Sequence, residues 1–340
     1  MSFNHDFNFK FFLKAVCHSA IALCLFSSCE KNEDDTLNPA SLLLQGAVIS
    51  QAQRTDCIPE LGCGFVSSRN GWSEIHIGEI PILITSPHGG TLLPNEMQTR
   101  TIGTLGNDSN TADLAMKIHD EIHQILGKKP HLVINRVDRS KVDMNRNRNE
   151  AVDDSSVAAF GSNLIAYEDF HRLITLAHNQ MTNQFGRGIL VDVHGHGQEQ
   201  DIVQIGLNLT EAELESDANN WAANNLHRSS SFQFLVGSGS LTLSEALIGD
   251  DAIGTLLEEK GYPAFPNRQL RDFESSDDNH YFTGGFITDR YGSDDSGKID
   301  AFQMETPGPN IRNAENTRAD FAKKFAESLI QFLRRAGYQI

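Results

Sequence analysis

Two short apolar runs, each ending in a histidine–glycine pair, constrain this chain more than any other feature of its sequence. Ile80–Thr85 leads into Ser86-Pro87-His88-Gly89-Gly90, and Gly188–Val193 leads into His194-Gly195-His196-Gly197. Short β-branched runs that end at glycine predict buried strands running into loops. A histidine on such a loop, with glycines that let the backbone come close, is suited to hold a metal ion. Either string alone reads as a polar loop beside a tight turn. Together they predict a shared metal site.

Strand-like runs at Ile80–Thr85, His131–Asn135, Ile189–Val193, Ile202–Leu207 and Ala301–Glu305 alternate with amphipathic segments. The latter predict helices over Asp113–Leu126, Glu168–Phe185, Glu211–Leu226, Leu243–Lys260 and Ala314–Ala336, with Gly127, Gly186, Gly261 and Gly337 as C-terminal stops. Alternating strands and helices predict an α/β three-layer sandwich with a mixed, largely parallel sheet and its active loops at the strand ends. With 340 residues, 39% of them hydrophobic, the chain can bury a large core. One catalytic domain over residues 41–340 is expected.

A formal charge of −17 argues against a nucleic-acid or anionic-membrane binder, though a local arginine pocket still suits an anionic substrate. Lys10 and Lys14 precede an apolar stretch that ends Leu25-Phe26-Ser27-Ser28-Cys29, a bacterial lipoprotein-type signal over residues 1–29. It implies a lipid anchor on Cys29, an acidic tether over 30–40, and export to the outer membrane on its periplasmic or outward face. Cys57 and Cys63 are expected to close a small disulfide loop in that oxidising setting.

His88 and His194 are the first two candidate ligands. For a carboxylate ligand the sequence offers Glu96 and Asp108, and Asp108 also suits the N-cap of the first long helix. Arg139, Lys141, Arg146 and Arg148 crowd one segment around Asp143-Met144-Asn145-Arg146. Arginine forks match carboxylates, so Arg139, Asn145 and Arg146 are candidate binders of an anionic substrate group. Tyr167 and His171 lie one helical turn apart and suit either the cleft or the core. Strand alternation sets His196 on the side of His194. It likewise puts Gln303 and Glu305 on one face, where packing alone does not explain two polar side chains. A carboxylate beside a metal-activated water is what a general base requires, which assigns that role to Glu305.

From about Gly78 to Arg312 the motif order resembles the N-formylglutamate amidohydrolase family: Ser86-Pro87-His88-Gly89-Gly90 with Pro94, Asp143-x-Asn145-Arg146, Tyr167 with His171, Asp192-x-His194, Gly284-Gly285-Phe286-Ile287 and Gln303-x-Glu305. The family usually carries serine where this chain has Gly89 and Gly195. The resemblance implies a zinc carboxypeptidase-like (phosphorylase/hydrolase-like) fold, zinc on His88 and His194, and Glu305 as acid/base. Phage poly-γ-glutamate hydrolases, which are similar, carry an acidic ligand at the head of the matching helix. That implies Asp108 over Glu96. In carboxypeptidase-type relatives an Asn-Arg pair, here Asn145 and Arg146, meets the substrate carboxylate and the oxyanion.

The implied function is zinc-dependent hydrolysis of an amide in an N-acyl amino acid or similar carboxylate-bearing substrate. Two rivals are an exported amidase acting on peptidoglycan fragments or γ-glutamyl polymers, and a surface lipoprotein that only binds a ligand. Arg139, Asn145, Arg146, Tyr167, His171, His196 and Gln303 form the expected substrate side.

Overall fold

Alternation within the central strands explains how one sheet serves two cores. Ile82 and Ile84 pack into one core and Leu83 into the other; Leu132 and Ile134 are divided in the same way from Val133, and all six are fully buried. Side chains of period two feed both faces of a sheet covered on each side. Each fully buried Leu or Ile contributes about 1.5–3 kcal/mol.

The computed structural model describes residues 65–68, 70–269, 273, 276, 280–293 and 297–340, all within one compact unit spanning 51–340. The strands are β1 (Phe65–Ser67), β2 (Ser73–His76), β3 (Ile82–Ser86), β4 (His131–Asn135), β5 (Gly188–His196), β6 (Val203–Gly206), β7 (Ala264–Phe265) and β8 (Ile299–Pro307). They form a mixed sheet in the order β1-β2-β4-β3-β5-β8-β6-β7. Its centre, β4-β3-β5-β8, is parallel throughout, whereas β1, β2 and β6 join antiparallel. The expected α/β sandwich is the observed one.

Helices α1 (Thr111–Leu126) and α8 (Glu315–Arg335) cover one face; α2 (Gly161–Phe185) and α7 (Phe286–Tyr291) cover the other. On α8, Phe321, Phe325, Leu329, Phe332 and Leu333 follow the three-to-four-residue spacing of a buried stripe. The chain leaves β3 through α1 to reach β4, then returns through α2 to β5 on the opposite side of β3. That reversal falls at the carboxyl ends of β3 and β5, the place where open α/β sheets bind ligands.

Two expected helices are broken. Over Glu211–Leu226 only α3 (Glu211–Leu214) forms, followed by 3₁₀ turns at Ala218–Asn220 and Leu226–Ser229. There the Asp217 carboxylate accepts from Asn219 N, offering the backbone a non-helical partner. A short helix α4 (Gln233–Gly237) comes next. Leu243–Lys260 is divided into α5 (Leu243–Ile248) and α6 (Ile253–Glu259) by Gly249, whose backbone is extended. Conversely α2 begins at Gly161, seven residues before its expected start at Glu168. The buried Asn163 anchors that added turn by donating to the carbonyls of Gln98 and Lys141.

Among the described residues no helix is long and apolar enough to cross a membrane. The signal-like segment, the acidic tether, Cys29, Cys57 and Cys63 lie outside the described residues.

Candidate metal centre

His88 leaves the end of β3 on a loop that its glycines press against neighbouring backbone. A Cβ on Gly89 would lie 2.4 Å from Ala112 N, and one on Gly90 would lie 2.3 Å from the carbonyl carbon of Arg136. The buried Asn135 holds the same loop by donating to Pro87 O (2.7 Å). Asp108 N donates to His88 O (3.1 Å), bringing the segment before α1 alongside. His194 stands near the end of β5, directly across from Glu305 on β8, and Asp192 stands across from Gln303.

The two histidines are held alike. His88 Nε2 donates to Asp143 Oδ1 (2.7 Å), and His194 Nε2 donates to Asp192 Oδ2 (2.9 Å). Both Nδ1 atoms then face a single atom, Asp108 Oδ2, at 3.3 Å and 3.0 Å. The rings meet edge to face with centroids 4.8 Å apart, and all three residues are buried. Donor atoms of His88, Asp108 and His194 lie within 4.8 Å of one another.

This donor set fits a metal ion. Each imidazole already donates through Nε2 to a carboxylate, so its Nδ1 lone pair would face an anionic oxygen. Either two further protons or a cation at that point reconciles the three electron-rich atoms. Two imidazole nitrogens, one carboxylate oxygen and carboxylates behind both rings form a set suited to zinc. Charges follow the same geometry. Burial opposes ionisation of Asp108, yet His88 and His194 hold its carboxyl far below the usual range. Burial alone would lower His194, but Asp192, Asp108 and Glu305 hold it well above the ordinary histidine value.

Asp108, not Glu96, lies with the two histidines, and it does not cap the helix. Asn110 occupies the N-cap in a left-handed conformation, and the Asp108 carboxylate is spent on the histidines. Glu96 lies on the exposed surface.

Glu305 is buried, and Gln303 Nε2 donates to its Oε1 (2.8 Å). Its Oε2 is buried without a hydrogen-bond partner among the described residues. Burial, with Asp108 nearby, pushes its carboxyl up to about 7. The Asp143 segment stands opposite. Arg139 spends Nε and Nη2 on Asp143 Oδ2 (3.0 Å each), and its Nη1 lies 3.6 Å from Asp108 Oδ1. Asn145 accepts from Ile287 N (2.8 Å) and donates to Gln303 Oε1 (3.3 Å). A Cβ on Gly285 would lie 2.2 Å from the Asn145 amide nitrogen, so glycine is needed there. Arg146 is exposed and, among the described residues, bonds only through Nη1, to the carbonyl of Asn145 (2.8 Å).

Tyr167 and His171 grip that segment from behind. Tyr167 donates to Arg146 O (2.9 Å), and His171 Nε2 donates to Met144 O (3.0 Å) while its Nδ1 accepts from Tyr291 OH (2.9 Å). Burial pulls His171 down to about 3, so the ring stays neutral. His196 donates through Nε2 to Ile202 O and accepts at Nδ1 from Gln198 N, stapling the turn after β5.

Sequence reasoning passed over three residues beside the centre. Arg100 donates to the carbonyls of Arg139, Thr104 and Ile102, with Nη1 4.0 Å from Asp143 Oδ2. Gln204 pairs across from Glu305 and accepts from Phe282 N. Arg312 lies behind Gly195. None of the three belongs to a motif; only the polar Gln204 inside the apolar run Ile202–Leu207 carries a local signal.

No family model and no curated protein sequence matches this chain. In structure it is similar to N-formylglutamate amidohydrolase from Ralstonia eutropha, with 14% identity over 78% of this chain and 97% of that one, and a TM-score of 0.48. It is also similar to a gene product from Agrobacterium tumefaciens (14% identity, 76% and 92% covered, TM-score 0.44) and to a zinc-free form of YndL (12%, 78% and 92%, 0.32).

Proposed function

We propose that this chain is a zinc-dependent amidohydrolase that cleaves an amide bond in an N-acyl amino acid or similar carboxylate-bearing substrate. The observation that carries the reading is the convergence of His88 Nδ1, His194 Nδ1 and Asp108 Oδ2 beside the unpartnered Oε2 of Glu305. His88, Asp108 and His194 would hold zinc, which would supply Lewis acidity to an amide carbonyl and to water.

The remaining work falls to the chain's own side chains. Glu305 accepts a proton at Oε2 and returns it to the departing amine, while Gln303 keeps Oε1 occupied and leaves Oε2 for that task. Asp143 and Asp192 hold each imidazole with Nδ1 turned inward. Arg146 has guanidinium nitrogens to spare and binds the substrate carboxylate. Arg139 is committed to Asp143 and keeps its positive charge near Asp108. The lipoprotein-type segment ending at Cys29 supports an exported, lipid-anchored location.

The test is zinc content of the purified protein, followed by a screen for amine release from N-acyl amino acids and γ-glutamyl peptides. About one zinc per chain with turnover of N-acyl amino acids is the expected result. Turnover of γ-glutamyl peptides alone would move the substrate to the polymer class. A chain that takes up zinc yet turns over neither class would be a binding protein.

A further inference from the structure

We infer that Arg312 is a positioning residue that sets the spacing between Asp108, His194 and Glu305 by linking the three segments that carry them. The inference rests on the metal-centre reading of His88, Asp108 and His194.

Arg312 ends a single π-helical turn, Gly308–Arg312, that follows β8, and only 6% of it is exposed. Its guanidinium donates in three directions: Nε to Thr306 O (2.9 Å), Nη1 to Ser109 O (2.6 Å) and Nη2 to His196 O (2.8 Å). Thr306 follows Glu305, Ser109 follows Asp108, and His196 lies two residues beyond His194. One rigid planar group thus joins β8, the segment entering α1 and the end of β5, each next to a residue of the centre. A lysine, whose donors radiate from a single nitrogen, does not span three such acceptors.

Two further observations support the assignment. The guanidinium lies across the backbone of Gly195, where a Cβ would stand 2.3 Å from both Cζ and Nε of Arg312. Glycine at 195, between the two histidines, is therefore the space into which Arg312 fits. The Arg312 backbone is itself fixed, because its carbonyl accepts from Asn110 Nδ2 (3.0 Å) and Arg318 Nη1 (2.6 Å). All three guanidinium bonds go to neutral carbonyls, and among the described residues no ion pair consumes the charge. It stands within electrostatic reach of Asp108 and Glu305.

The experiment measures zinc affinity by chelator competition and the visible spectrum of the cobalt(II)-loaded protein, for the parent, Arg312→Ala, Arg312→Lys, Gly195→Ala and Gly195→Ala/Arg312→Ala. Loss of a residue that orients ligands is expected to weaken zinc about 10–100-fold and to alter the cobalt bands. Arg312→Lys is expected to recover little, because charge without the fork does not restore the three links. If Arg312→Ala fails to fold, Arg312→Lys, which keeps the charge and most of the stem, carries the same comparison. Gly195→Ala is expected to weaken zinc in the parent and to add nothing once Arg312 is shortened, a non-additive cycle. Foldable Arg312 variants with parental zinc affinity and unchanged cobalt bands overturn the assignment alone. A parent that takes up neither ion overturns the metal-centre reading and this inference with it.

Discussion

His194 and Glu305 face each other as direct partners on adjacent parallel strands, with His194 Nδ1 3.9 Å from Glu305 Oε1. The pairing sets a carboxylate beside the nitrogen that meets Asp108, on strand positions that cannot slip without turning both side chains to other faces. Replacing Glu305 by Gln keeps the shape and removes the proton acceptor. We expect zinc content to be retained and kcat to fall by about 10²–10⁴. Retained turnover in a steady-state assay would remove Glu305 from the chemistry.

Asp192 is fully buried, accepting from His194 Nε2 and from Thr85 Oγ1 at 2.6 Å. Asp192→Asn loses the charge that orients the ring, and zinc affinity is expected to fall about 10–100-fold. Thr85→Val removes one donor to a buried carboxylate and should cost about 1–3 kcal/mol of stability. Chelator competition reads the first effect and urea unfolding the second.

Arg146 is an exposed guanidinium of the Asp143 segment, whereas the equally exposed Arg148 is paired with Glu168. Arg146→Ala should raise KM for carboxylate-bearing substrates at least tenfold, roughly the 1.4 kcal/mol of a modest charged contact, with a smaller change in kcat. The corresponding primary-amide substrate, lacking the carboxylate, should show no such difference between parent and variant. An equal loss on both substrates assigns carboxylate binding elsewhere.

His131 supplies a pH dependence of stability remote from the centre. It is buried at the start of β4, where its Nδ1 accepts from Gly78 N. Burial, with a smaller contribution from His119, pulls it from 6.5 to about 4. Between those values the unfolded chain binds the proton and the folded one does not. Its contribution is therefore complete above pH 6.5 and lost as pH falls through about 4, by about 3 kcal/mol in all. Urea midpoints measured from pH 7.5 to 4.5 should fall more steeply for the parent than for His131→Gln. Identical slopes would show that His131 titrates normally.

Part of this centre is legible in the sequence alone. His88 and His194 stood at strand ends followed by glycine, and Gln303 and Glu305 broke an apolar strand on one face. Glu96 and Asp108 were harder to separate, since both are carboxylates in the segment between β3 and α1. Asp108 is the ligand candidate because its backbone N–H is tied to His88 O, which turns its carboxylate inward. Tyr167 and His171 were visible as a pair on one helix face. Their bonds to the carbonyls flanking Asn145 were not, since a main-chain acceptor leaves no mark on the residue types involved. The helix breaks at Asp217–Asn220 and Gly249 do not show in the apolar periodicity, which runs on through local turn chemistry.

By itself the sequence determined the central strands, the three long helices α1, α2 and α8 and the glycine-flanked histidines, because these follow from local periodicity and backbone freedom. Tertiary structure decided which atoms meet. Thr85 reaches Asp192 across 107 positions of the chain, and Arg312 reaches Ser109 across 203. Such contacts depend on strand register and on α1 and α2 packing on opposite faces of the sheet. Both are properties of the packed sheet, and no short segment of the chain contains them.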